Sequence, residues 1–152
     1  MTTPTIFSDI YGDANALQRA PALYTGAPAH VRVTTTLPAG TATTVVAGLI
    51  PFAKGAKVCM RGSSIKCGDG DTATTATLDI GWVYDDNTTY TNDPNGFIAA
   101  TAAPQTGAVA AFDAVAGYSF VAEAPGWIMC QPGGETVEVE YTVIADVLIS
   151  YN

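Results

Sequence analysis

The chain of 152 residues is 48% hydrophobic but only 13% charged, with Thr, Ala and Gly in place of the missing charge, and its formal net charge is −8. This composition excludes a disordered tail, and the length suffices for one domain whose core needs neither disulfides nor a metal. The acidic balance excludes phosphate-neutralising contact with nucleic acid, which needs clustered Lys and Arg, so no direct nucleic-acid partner is expected.

A surface so poor in charge is weakly hydrated, and burial against other subunits is one way to tolerate it. The charges are also segregated. All six basic residues (Arg19, Arg32, Lys54, Lys57, Arg61 and Lys66) precede residue 67, where only Asp9 and Asp13 oppose them; twelve acidic and no basic residues follow. If the fold keeps them apart, complementary contact between copies or with a partner follows.

The N-terminus carries no basic region followed by an apolar one, and no stretch approaches the roughly eighteen uninterrupted apolar residues of a membrane span. Neither a leader nor a membrane partner is expected. Cys59, Cys67 and Cys130 lack CxxC spacing, which speaks against a zinc knuckle or a secreted disulfide framework and for synthesis in a reducing cytoplasm.

Residues 1–30 read as an N-terminal arm. They carry Pro4, Pro21 and Pro28 and scattered apolar groups, Ile6, Phe7, Ile10, Tyr11, Leu17, Leu23 and Tyr24, without a sustained period. Asp13 or Asn15 can cap a short helical turn over residues 15–19, which Pro21 would stop. The apolar groups need a support, either their own domain or a neighbouring subunit.

From residue 30 to 152 the pattern is that of strands. Residues 30–37 alternate Val31 and Val33 with Arg32 and Thr34, and residues 38–40 turn the chain. A β-branched run follows at 43–52, closed by Lys54-Gly55. A third strand at 56–60 resumes at 64–67 across a bend at Gly62. Residues 74–84 place Leu78, Ile80, Trp82 and Tyr84 on one face, and a polar excursion spans 85–96. Residues 97–103 read as one or two helical turns before Gly107. Later strands are expected at 109–112, 118–123, 127–131 and 136–150, the last with Val137, Val139, Tyr141 and Val143 on one side. About eight short strands separated by Gly and Pro turns, with no internal repeat, predict an all-β antiparallel sandwich, jelly-roll-like, with an extended arm.

No residue pattern points to catalysis. His30 is the one histidine and has no Ser or Cys near it in a recognisable motif. On one continuous strand the Cys59 and Cys67 sulfurs stand roughly 27 Å apart, so only a hairpin through residues 62–64 would pair them. The Asp- and Asn-rich stretches at 68–71, 85–87 and 93–96 offer oxygen ligands but no calcium-loop spacing, and tight turns select the same residues. Trp82, Trp127, Tyr84 and Tyr90 are candidates for a sugar platform, although aromatic residues on apolar strand faces are more often core.

Several stretches together resemble the small capsid decoration, or cement, proteins of tailed bacteriophages. They are GLIPFAKGAKV at 48–58, ATLDIGWVYD at 76–85, NDPNGFIAA at 92–100, and GWI at 126–128 with the following Gly-Gly turn and closing Val/Glu strand. The resemblance implies a β-sandwich on the outer capsid surface of the virion, made in the host cytoplasm. Such a protein is not an enzyme and needs no cofactor or metal. Its partners are the major capsid protein, whose neighbouring subunits it bridges, and itself, as a homotrimer or alternatively a homodimer. The candidate interface comprises Ile6, Phe7, Ile10, Tyr11 and Leu17 of the arm and the basic cluster Lys54, Lys57 and Arg61. The alternatives are a head-closure or tail protein, and a carbohydrate- or receptor-binding module.

Overall fold

A computed structural model of the protein describes residues 4–9, 28–70, 75–112 and 119–150. Strict alternation builds its two longest regular strands. In β2 (Ala29–Leu37), Val33, Thr35 and Leu37 are buried while His30, Arg32 and Thr36 are exposed. In β10 (Tyr141–Ser150), Tyr141, Val143, Ala145, Val147 and Ile149 are buried, with Thr142, Ile144, Asp146 and Leu148 on the other face. The remaining strands are β1 (Ile6–Phe7), β3 (Ala47–Phe52), β4 (Lys57–Cys67), β5 (Thr77–Tyr84), β6 (Asp93–Thr101), β7 (Val109–Ala111), β8 (Ser119–Val121) and β9 (Gly126–Gly133).

They form two sheets. One has the order β1-β3-β9-β5-β6; the other has the order β2-β10-β4-β7, with β8 also pairing β4. Every pairing is antiparallel except β1 with β3. From β2 onward the chain crosses between the sheets at nearly every connection. Strands far apart in sequence, such as β2 and β10, therefore become neighbours in a β-sandwich. Val58, Ile65, Val143, Val147 and Ile149 from one sheet and Ile50, Leu78, Ile80, Ile128 and Cys130 from the other belong to one buried core. Each fully buried side chain of Ile or Phe size contributes about 1.5–3 kcal/mol. Toward one end of the sandwich the filling is aromatic: Phe120 lies 5.9 Å from Phe52, 4.3 Å from Trp82 and 5.4 Å from Phe97.

The bend expected at Gly62 is a wide bulge within a continuous β4. Ser64 pairs with Asp146 and Cys59 with Leu148, so residues 60–63 all stand opposite Val147. Ser63 repairs the interrupted ladder, since its Oγ donates to the Cys59 carbonyl at 2.7 Å and accepts from the Leu148 amide at 3.0 Å.

Two expectations are corrected. Residues 97–101 are strand, not helix: they end β6, and the only helical turn nearby is α1 (Ala103–Thr106), which begins with Pro104 in its first turn and ends on left-handed Gly107. The β5–β6 pairing holds because Gly81 lacks a side chain; a Cβ there would run into the Asp93 carbonyl. Residues 136–140 are outside β10, because Val137 exchanges backbone hydrogen bonds with Gly40 and Thr41 and the Val139 amide donates to Gly70.

Of the two supports expected for the arm, Ile6 and Phe7 take the chain's own sandwich, as a parallel edge strand half-buried against its core. The segment fastens both sheets. Thr5 and Ser8 amides donate to Val46 and Gly48, and Ser8 Oγ donates to Leu49. On the other sheet, Thr35 Oγ1 donates to the Phe7 carbonyl, and Asp9 and Thr34 exchange two bonds of 2.8 Å. The expected boundary at residue 30 thus has part of the sandwich before it. Ile10, Tyr11, Leu17 and the helical turn expected over 15–19 lie outside the described residues.

Candidate functional site

The two sheets differ in what their outer faces present. Opposite the core, the five-stranded sheet carries Trp127 and Met129, which are buried too, and Phe7 and Pro4 lie against this face. The outer face of the β2-β10-β4 sheet is open. The register arranges it in cross-strand rows: His30, Leu148, Cys59 and Ser119; Arg32, Asp146, Ser64 and Ala111; Thr34, Ile144, Lys66 and Val109; and Ser150, Lys57 and Val121.

This face gathers the basic residues that the sequence clusters before residue 67. Arg32, Lys57 and Lys66 stand in its rows, exposed Arg61 projects from the bulge, and Lys54 occupies the turn leading into β4. Asp146 sits among them, and three more acids border the sheet: Asp9, bonded to Thr34, and Asp69 and Glu123, just past the ends of β4 and β8. Asp146 accepts from Arg32 at 2.8 Å and pairs with His30 at 3.0 Å, and the Arg32 hydrogen bond first, with His30 adding to it, holds its carboxyl below the usual carboxylate range. Asp79, Asp85, Asp86 and Asp93 belong to the other sheet and its turn, and Glu135, Glu138 and Glu140 to the β9–β10 loop.

Apolar side chains interrupt the basic face. Val109 and Val121 are 65% and 51% exposed, and half-buried Ile144 and Leu148 lie between them and β2. Two shallow clefts result. One of about 320 Å³ is bounded by Arg32, Lys66, Val109, Ile144 and Asp146; a second, of about 330 Å³, is bounded by Lys57, Cys59, Ser119 and Leu148. A mixed apolar and cationic surface of this kind is suited to docking a macromolecule with an acidic face. Of the expected set Lys54, Lys57 and Arg61, Lys57 stands on this face, Arg61 in the bulge of β4 and Lys54 in the turn before it. Arg32, Lys66, Val109 and Ile144, absent from that set, belong to the same surface; their outward positions follow from strand alternation, but their adjacency depends on which strands pair.

The acidic stretch after β5 is accounted for structurally. Asp86 Oδ1 accepts from the Thr88 and Thr89 amides and from Thr88 Oγ1, and Asn92 Oδ1 accepts from the Tyr84 amide, so these side chains shape the β5–β6 turn. Among the described residues no group of three or more His, Cys, Asp and Glu side chains is placed to hold a metal. All three cysteines are free: Cys67 and Cys130 are buried, while Cys59 is half-exposed rather than buried. Trp127 is buried beside Phe7. Trp82 lies 4.3 Å from Phe120 and 5.2 Å from Phe97, yet with Tyr84 and Tyr90 it also lines an open cleft of about 340 Å³, beside Thr89, Thr91, Val121 and Glu123.

No family profile and no characterised protein sequence matches the chain. Its fold is similar to solved structures. A chain of the cyanophage Pam1 capsid asymmetric unit superposes with a TM-score of 0.64 at 18% identity, over 84% of this chain and 87% of that one. A chain of the capsid of Ralstonia phage GP4 gives 0.58 at 19% identity, over 82% and 85%. A chain of the acid-stable capsid of Helicobacter pylori bacteriophage KHP30 gives 0.55 at 12% identity, over 81% and 89%. In each case more than four fifths of both chains is aligned, so the likeness spans most of the fold.

Proposed function

We propose that the chain is a structural, non-enzymatic component of a bacteriophage virion, which decorates the outside of the capsid and stabilises it by bridging neighbouring major capsid protein subunits. The observation that carries this reading is the likeness of most of the fold to chains from three phage capsids. The basic and apolar outer face of the β2-β10-β4 sheet supports it, because it offers a docking surface.

A protein that binds only the assembled lattice adds its binding free energy to the stability of the shell, as any native-state ligand does. Repetition over the lattice supplies avidity even where each contact is modest. In this reading Ile10, Tyr11 and Leu17 reach a neighbouring subunit and Lys54, Lys57 and Arg61 contact the shell, while Ile6 and Phe7 hold the root of the arm to its own domain.

The test is co-sedimentation of the purified chain with particles that lack it, followed by heating. Stoichiometric binding with a raised disruption temperature is expected. Failure to sediment with particles would overturn the decoration role. The combined Ile10→Asp, Tyr11→Ser and Leu17→Asp variant leaves residues 4–9 intact, and unchanged occupancy with it would remove the arm from the interface.

A further inference from the structure

Among the described residues, the large apolar side chains that stand most exposed are Val109, Val121 and Val139, at 65%, 51% and 43%. Their surroundings differ in sign. Val109 borders the cleft that contains Arg32 and Lys66, and Val121 pairs across β8 and β4 with Lys57. Val139 lies in the β9–β10 loop between exposed Glu138 and Glu140. The loop is tethered to the body of the domain through Val137 to Gly40 and Thr41, and through Val139 to Gly70, so it is presented in a fixed position at one end of the sandwich.

We propose that these two patches are the halves of one contact between copies: the Glu138-Val139-Glu140 loop of one copy docks in the cleft of the next, with Val139 against Ile144 and Val109 and the carboxylates toward Arg32 and Lys66. The partner is a second copy because its acidic loop, with an exposed valine between two carboxylates, complements a cleft in which Arg32 and Lys66 outnumber the one carboxylate, Asp146, around exposed Val109. Arg32 has capacity for the contact: its guanidinium carries five donors, and its side chain is 73% exposed despite the bond to Asp146. Oppositely charged groups around an apolar centre speed encounter and reject wrong orientations, while desolvation of the valines supplies attraction that salt does not screen.

The two patches are different surfaces of the same chain, so the contact is heterologous. It repeats head to tail and gives a closed ring where the rotation allows, or a filament where it does not. The contact rests on the assembly reading above and names one of its partners, but it is tested on the purified chain without particles.

The experiment is sedimentation velocity over a concentration series, at low salt and at about 1 M salt, on the natural chain, on Lys66→Glu, on Glu140→Lys, and on the combination. All the substituted side chains are exposed, so equal melting temperatures establish that the variants fold. The natural chain is expected to form a discrete oligomer that weakens in high salt. Each single reversal weakens association about tenfold or more, and the combination recovers most of the loss, as a direct charge pair requires. A natural chain that stays monomeric overturns the contact, as do single reversals without effect or a combination no stronger than the weaker single variant. A monomer that still coats particles would leave decoration standing and remove this contact; an oligomer that ignores particles would do the reverse.

Discussion

The ring of Phe7 sits 5.2 Å from that of Trp127, inclined at 57°, so a residue of the N-terminal segment covers the outward face of a strand in the middle of the five-stranded sheet. The same residue's carbonyl accepts from Thr35 on the opposite sheet. Phe7 is therefore a packing residue of the sandwich as well as the beginning of the arm. Phe7→Ala should lower stability by about 2 kcal/mol, roughly half the cost at a fully buried site, because Phe7 is only half-buried. In a domain of this size the melting temperature should then fall by about 4–8 °C. An unchanged melting curve would show that β1 contributes nothing to the folded domain.

A second prediction concerns the bulge in β4. Ser63 is 3% exposed, and its hydroxyl serves both edges of the gap, donating to Cys59 and accepting from Leu148. Ser63→Ala leaves the Leu148 amide and the Cys59 carbonyl without that partner, and an unsatisfied buried group costs about 1–3 kcal/mol. Urea unfolding should show a lower midpoint with an unchanged slope, and native-state hydrogen exchange should quicken at the Leu148 amide. Exchange there at the natural rate would mean that the hydroxyl does not hold the ladder together.

These two sites also show what the sequence conveys and what it withholds. The period of two in β2 makes its inward and outward residues directly readable, and Gly62 marks the bulge; in β10 the outward Ile144 and Leu148 blur the same period in the sequence. β6 is hidden because Pro94, Gly96 and the adjacent pair Phe97 and Ile98 break the alternation; it becomes a strand by pairing with β5 across two register shifts. The converse holds at residues 137–140, where alternation is present but hydrogen bonds to Gly40, Thr41 and Gly70, all distant in sequence, draw the chain away from the sheet. The basic face is half readable. Lys54, Lys57 and Arg61 are close in sequence, but Arg32 meets Asp146 from 114 residues away, and that adjacency comes only from the crossing of the chain between sheets.

The buried thiols predict an alkaline weakness. Burial raises Cys67 from its ordinary 9.0 to about 12, and it raises Cys130 and the Tyr141 hydroxyl as well. In the folded chain these groups keep their protons at a pH where the unfolded chain has lost them. The unfolded state then binds fewer protons, so stability falls as pH rises. The stabilisation is complete below the ordinary thiol value and is lost as pH climbs from there toward the folded values, by about 1.4 kcal/mol per unit for each fully titrating thiol. Urea midpoints in reductant should be clearly lower at about pH 10 than at about pH 7. A thiol reagent applied to the native chain should modify half-exposed Cys59 and spare Cys67 and Cys130. Equal midpoints, or rapid native modification of Cys130, would contradict a closed core.

The last prediction separates steering from docking at the proposed shell contact. Lys54 is exposed in the turn before β4, and Lys57 follows on the outer face, in a row with Val121. Exposed charges act mainly on the rate of encounter, and salt screens them over roughly 10 Å at 0.1 M, so reversing them should change association more than dissociation. The Lys54→Glu and Lys57→Glu double variant should therefore attach to particles several-fold more slowly at low salt, and the difference should shrink as salt is raised. Truncating exposed Val121 to Ser instead removes apolar contact that salt does not screen, so it should speed release at every ionic strength. Attachment and release can be followed by light scattering on particles that lack the protein. If the lysine variant attaches at the natural rate in low salt, Lys54 and Lys57 do not face the shell, and the outer face of β4 is left to contacts between copies.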